Sequence, residues 1–263
     1  TRIMSTDQVG MVNLYSSWYS MITVVSTLAL TSGGFPMALR EFESERDQYV
    51  SSVLSLTSLV AIGLVFLYAL APSFWNRMTG LPTHLMILLL VGLLVAAARD
   101  FWLSRQRFEY RYKLPGAVTI VSAVAASGLA VVAVLYANSI DYSDIASVRL
   151  FANYSIVYGV AAVIWFSIFL KGKCFYSSKY WKFSLQLSLP LIGYSIASQI
   201  LSVSDRMMIS KMVGNDAVGI YSTLYTVSSI SLLVWSAINS SFIPYLYQNM
   251  SKKDNKIREL SLA

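Results

Sequence analysis

Charge is what this sequence has least of. Only 13% of its residues are Asp, Glu, Lys or Arg, whereas 56% are hydrophobic. An ordinary soluble domain carries roughly 25% charged residues. A chain so poor in charge cannot clothe its own surface against water on every side, which argues against a soluble globule. Cysteine is reduced to Cys174, so an internal disulfide is ruled out and a four-ligand zinc site has too few candidates. His84 is the only histidine, and beside an apolar run it reads as an interfacial polar residue without a catalytic part. A phosphate-cradling Gly-rich loop with Lys, an HExxH pair and a nucleophile elbow are all missing. Gly33-Gly34 ahead of Pro36 reads as a turn. Enzymatic chemistry is therefore not expected, and no cofactor or metal is implied. A signal peptide is lacking as well. Thr1 brings no initiator Met, basic n-region or cleavage pattern, and the start reads as the middle of a longer chain.

Long apolar runs are what the sequence has in plenty. Seven can be separated: Met11 to Ser32, Val50 to Ala71, Leu85 to Leu103, Leu114 to Ala137, Ala146 to Leu170, Phe183 to Ser204 and Ala217 to Tyr247. About 20 helical residues at 1.5 Å rise cover the roughly 30 Å hydrocarbon core of a bilayer. The runs show no sustained period-2 alternation, which excludes barrel strands. Lipid offers the backbone no hydrogen-bond partners, so helices follow. The expected fold is all-α, a polytopic transmembrane helical bundle of about seven spans.

The net charge of +7 sits in short clusters between these runs, which points to membrane topology rather than nucleic acid. Arg105, Arg107, Arg111 and Lys113 follow run three; Lys171, Lys173, Lys179 and Lys182 follow run five; Lys252, Lys253, Lys256 and Arg258 follow run seven. The alternate loops are poor, with Arg77 alone between runs two and three. Alternation puts Arg40 and Arg46 on the basic side too. The positive-inside rule makes that side cytoplasmic, with residue 1 external and residue 263 internal. Trp18, Tyr19, Trp75, Trp102, Tyr110, Tyr112, Tyr180 and Trp181 mostly fall near run ends, where amphipathic rings settle.

One internal echo stands out. Asp7-Gln8-Val9-Gly10 opens the first run and Asp216-Ala217-Val218-Gly219 opens the last. Pro36 follows Gly10 by 26 residues, and Pro244 follows Gly219 by 25. Copies six spans apart point the same way through the membrane. Such parallel repeats, related by an axis along the membrane normal, are one transporter architecture with the substrate between the halves. On this reading residues 1–172 form an N-terminal transmembrane lobe lacking its first helix, residues 173–263 begin a C-terminal lobe, and the parent has 12–14 spans.

Charges inside or beside apolar runs are the candidate functional residues. A charge at the bilayer centre costs at least about 2.5–3.5 kcal/mol, so it tends to face a cavity or a partner. Arg99 and Asp100 interrupt run three, Arg149 lies a turn inside run five, and Asp205 and Arg206 continue run six. All lie nearer run ends than the midplane, where snorkelling to headgroups is the competing explanation. Adjacent helical residues point about 100° apart, so Asp205 and Arg206 cannot both face one lumen squarely. Pro190 and Pro244 can kink their helices. Gly193, Ser195, Ser198, Ser202 and Ser204 give run six a small, polar character expected to pack closely on another helix.

The stretch Ser204-Asp205-Arg206-Met207-Met208-Ile209-Ser210-Lys211 leads to Val218-Gly219-Ile220-Tyr221-Ser222. It resembles the D-R-x-x-I…VGxY segment of bacterial polysaccharide flippases, the O-antigen and capsule exporters of the MATE-like superfamily. Gln8-Val9-Gly10 is similar to that family's opening after its first helix, and Arg105 to Tyr112 to the cytoplasmic segment after its fourth. The resemblance implies transport of polyprenyl-pyrophosphate-linked oligosaccharide across the bacterial inner membrane by alternating access. It also implies a substrate site in which Arg206, with Arg99 and Arg149, neutralises pyrophosphate, since Arg is the preferred bidentate phosphate binder. Asp205 is left either to pair with an Arg or to take a coupling cation, H+ or Na+. The expected partners are the lipid-linked oligosaccharide and membrane lipid, not nucleic acid. The alternatives are a MATE-type drug or cation antiporter and a polytopic glycan polymerase or glycosyltransferase.

Overall fold

The computed structural model describes residues 4–32 and 34–249, and these are almost wholly helical with no strand among them. Ten α-helices follow one another: α1 (Thr6–Ser26), α2 (Gly34–Glu41), α3 (Arg46–Leu70), α4 (Pro72–Thr79), α5 (Thr83–Phe108), α6 (Lys113–Ser139), α7 (Ile145–Gly172), α8 (Ser178–Met212), α9 (Asn215–Ser228) and α10 (Ile230–Asn249). Gly33 and the basic residues Lys252, Lys253, Lys256 and Arg258 lie outside the described residues, as does the side chain of Pro244.

Every apolar run is helical, but the runs are not equivalent. Among the described residues five helices are long and apolar enough to cross a membrane: α3 with its leading turn, α5, α6, α7 and α8. The pair α9 and α10, bent by 46°, makes a sixth if counted as one broken span. The expectation of about seven spans thus becomes five or six. The difference lies in α1, where Asn13, Tyr15, Ser16, Ser17 and Ser20 dilute the apolar sequence. Tyr15 and Ser17 are buried, so α1 turns polar groups toward other helices instead of presenting a uniformly greasy surface to lipid.

Helix ends gather at two opposite poles. At one, Arg105 of α5 bridges to Asp47 of α3 at 2.5 Å, Arg46 lies over the ring of Phe108, and Lys179 of α8 reaches Glu45 at 3.4 Å. This is the pole of the basic loops, and Arg40 and Arg46 belong to it as alternation requires. Below it the rings of Phe35, Phe42, Tyr49, Phe101 and Tyr180 form one buried cluster. At the far pole Trp18 donates to the Thr79 carbonyl, Gln8 to that of Ser143, and His84 shares a 2.7 Å hydrogen bond with Ser147. Leu81, Leu85, Leu89 and Leu93 of and before α5 pack there on Leu14, Tyr15, Leu150 and Tyr158. Helix α5 is the axis of the bundle: 56% of its most apolar stretch is buried, against 11% for α8.

Helix α8 runs through Pro190 without a break. Of the small residues expected to pack closely, only Ser195 and Ser204 are partly buried. Gly193, Ser198 and Ser202 are exposed, and a Cβ at Gly193 would meet nothing within 4 Å. The buried serines are Ser184 and Ser188, six and two residues before Pro190, where α8 still lies against α2 and α3; Ser184 hydrogen-bonds Tyr49 at 3.0 Å.

The two Asp-x-Val-Gly segments meet. A Cβ added at Gly10 would collide with the backbone carbonyl of Asn215, and one added at Gly219 would collide with that of Thr6. Thr6 precedes the first copy by one residue and Asn215 precedes the second by one, so the two close approaches are reciprocal. The Thr6 hydroxyl also donates to the Asp216 carboxylate. Only glycine permits backbones to come this near, which is the reason the echo retains it.

Candidate substrate cleft

Helices α1, α6 and α7 enclose a cleft of about 530 Å³ at the far pole. Its polar lining comes from Asn13 and Ser16 of α1 and from Arg149, Asn153 and Tyr154 of α7. The spacing explains the convergence. Residues 149 and 153 are four apart and so stack on one helical face, as do 13 and 16 on α1. Among the described residues Arg149 pairs with no carboxylate, and its guanidinium reaches the Met4 sulfur at 3.6 Å. A partly buried cation with no counter-charge in an apolar setting is a ready receptor for an anion.

Behind the cleft stands a tyrosine cluster that the linear sequence concealed. Tyr15 and Tyr19 of α1 face Tyr154 and Tyr158 of α7, with ring centroids 5.1–6.3 Å apart. The Tyr15 and Tyr158 hydroxyls share a 3.1 Å hydrogen bond in the core. Tyr158 leans directly on Gly92 of α5, where a Cβ would strike its phenol. The signal was present as two Tyr-x-x-x-Tyr pairs, each placing both rings on one face, but their pairing across 135 residues or more depends on how α1 meets α7.

A second constellation lies where α8 and α9 pack. The Tyr221 hydroxyl donates to the exposed Asp205 carboxylate at 2.7 Å, and the Arg206 guanidinium sits 4.8 Å from the Tyr225 ring centre. The half-buried Arg206 keeps its Nε away from solvent with no hydrogen-bond partner. Gln199, seven residues earlier and so on the same face, donates to Ser20 of α1 at 2.8 Å. That contact aims the Arg206 face of α8 toward α1. Asp205 and Arg206 thus both engage one tyrosine face of α9, the carboxylate through the Tyr221 hydroxyl and the cation over the Tyr225 ring.

Arg99 lies half-buried on α5, and the neighbouring Asp100 interacts electrostatically with Arg99, Arg107 and Tyr19 of α1. Among the described residues Arg99, Arg149 and Arg206 form no ion pair with a carboxylate, and they sit on different helices. Their surroundings differ. Arg149 belongs to the cleft on α7, Arg206 to the α8–α9 contact and Arg99 to α5. His84, at 2.7 Å from Ser147 and 3.5 Å from Asp144, ties α5 to the first turn of α7. Among the described residues no three His, Cys, Asp or Glu side chains gather in a way that could hold a metal ion.

No curated protein and no solved structure gives a significant match to the chain. A protein family does: residues 1–250, nearly the whole sequence, match the family described as "Polysaccharide biosynthesis protein". The apolar helices and this match together describe a multi-pass membrane protein, and the chain belongs to the polysaccharide biosynthesis protein family.

Proposed function

We propose that the protein carries polyprenyl-pyrophosphate-linked oligosaccharide from the cytoplasmic to the outer leaflet of the bacterial inner membrane for the assembly of surface polysaccharide. The observation that carries this reading is the set of arginines in or beside the apolar helices that form no ion pair among the described residues, Arg99 having only the longer-range field of Asp100. Arg149 reaches a thioether, and Arg206 has a buried and unsatisfied Nε. Each such group costs free energy unless an anion answers it. A pyrophosphate crossing a low-dielectric interior needs such groups, and guanidinium binds phosphate oxygens in pairs. Asn13, Asn153 and Tyr154 beside Arg149 suit a sugar, whose hydroxyls match amides and whose apolar face matches an aromatic ring.

In this reading residues 1–172 form one lobe and residues 173–263 open a second, a MATE-like arrangement that the reciprocal Gly10 and Gly219 contacts support. The basic pole is cytoplasmic, and the α1–α9 contact closes the external end. The chain binds and carries its substrate and makes no bond in it.

The test is leaflet transfer of a fluorescent lipid-linked glycan in vesicles holding the full-length protein. Arg206→Ala is expected to slow transfer at least about tenfold, the equivalent of one charge-assisted hydrogen bond, with Arg206→Lys partly restoring it. Transfer at the wild-type rate in Arg206→Ala overturns the assignment of that residue.

A further inference from the structure

At the basic pole two hollows share a wall. The first, of about 530 Å³, is polar and lies among α3, α5 and α7, where Arg105, Gln106, Arg111, Ser167 and Lys171 surround it together with Asp47 and Glu109. The second, of about 670 Å³, is an almost wholly apolar groove among α5, α6 and α7, walled by Ala117, Val121, Ala125, Gly159 and Val163. Trp102 and Ile164 line both. One amphipathic trough therefore runs from the helix ends at the basic pole down the outside of the bundle.

We propose that this trough holds one anionic glycerophospholipid of the surrounding bilayer, its phosphate in the polar hollow and an acyl chain in the groove. Charge decides the class of lipid. Arg105 is already answered by Asp47 at 2.5 Å and Glu109 at 2.8 Å, and Glu109 stands 3.5 Å from Arg111. Lys171 has no carboxylate partner among the described residues. Three cations against two carboxylates leave one positive charge, which matches the single negative charge of a phosphodiester headgroup. A pyrophosphate carries more than this surplus answers. Gln106 and Ser167 add donors for the remaining phosphate oxygens. Basic hollows between helices at the cytoplasmic surface are where anionic headgroups bind, and Trp102 at the junction of head and tail has the amphipathic ring suited to that depth.

The measurement is native mass spectrometry of the full-length protein, titrated in detergent with phosphatidylglycerol or phosphatidylethanolamine of the same acyl chains. Wild-type protein is expected to retain phosphatidylglycerol about fivefold better, as one surplus cation near the surface gives. Lys171→Ala combined with Arg111→Ala leaves Arg105 against two carboxylates and is expected to bring that ratio to one or below. Gly159→Trp fills the groove from a position where an added Cβ meets nothing within 4 Å, so it is expected to weaken both lipids without disturbing the fold. Equal retention of the two lipids by wild-type protein overturns the proposal. So does an unchanged ratio in the double variant, or unchanged binding in Gly159→Trp. Displacement of phosphatidylglycerol by equimolar polyprenyl phosphate assigns the trough to an isoprenoid ligand and overturns it too.

Discussion

Helices α1 and α9 begin with the same four-residue pattern and press the same glycine face together, yet they live in different surroundings. Helix α1 is hemmed in by α3, α5, α7 and α8 as well as α9, and its Tyr15 is fully buried. Helix α9 touches α1, α8 and α10, and Ile220, Leu224 and Val227 on it stay exposed. A shared motif thus specifies a contact, not an environment. The contact needs only two glycines at the right offset. Burial depends on which helices arrive from elsewhere in the chain.

The sharpest way to break the symmetry is to lock it. With Cys174 replaced by Ser, a Thr6→Cys and Asp216→Cys pair replaces a direct side-chain contact and is positioned to oxidise. If the external end must part during transport, the disulfide is expected to abolish leaflet transfer, and a reductant to restore it. Transfer that is indifferent to oxidation means that this end does not open.

Steric disruption comes next. Gly10→Leu and Gly219→Leu each push a side chain into backbone, and each is expected to destabilise the protein by about 3 kcal/mol, read as a lowered unfolding temperature in detergent. Gly193→Leu, where space is open, is the matched control and is expected to change little. Equal effects at Gly10 and Gly193 would deny any special closeness to the α1–α9 contact.

The tyrosines separate the two helices by a smaller margin. Tyr15→Phe leaves the buried Tyr158 hydroxyl short of its partner and is expected to cost about 1–2 kcal/mol. Tyr225→Phe keeps its ring under Arg206 and is expected to be near neutral for stability. Least of all, Thr6→Val removes a hydrogen bond in an exposed position and is expected to cost under about 0.5 kcal/mol.

Much of this was legible in the linear chain. Helical runs of membrane length announce themselves because lipid leaves the backbone no other partner, and α3, α5, α6, α7 and α8 fall where hydropathy puts them. The basic loops foretold which helix ends gather, as the Arg105–Asp47 and Lys179–Glu45 pairs bear out. The echo around Gly10 and Gly219 was visible as a pattern. That the copies touch was not, since a pattern carries no distance. The small residues of α8 were misjudged in part, at Gly193, Ser198 and Ser202, for a related reason. Small residues permit close approach but do not compel it, and the helices near Ser184 and Ser188 never reach Ser198 or Ser202.

Sequence alone determined that this protein is a bundle of membrane helices with one basic pole, because apolarity, length and loop charge are local quantities that survive without coordinates. Tertiary structure alone decided which arginines go unanswered and which tyrosines meet. It also decided which glycines bear a neighbour's backbone. Those properties belong to pairs of residues more than a hundred positions apart, and only the packing of one helix on another creates them.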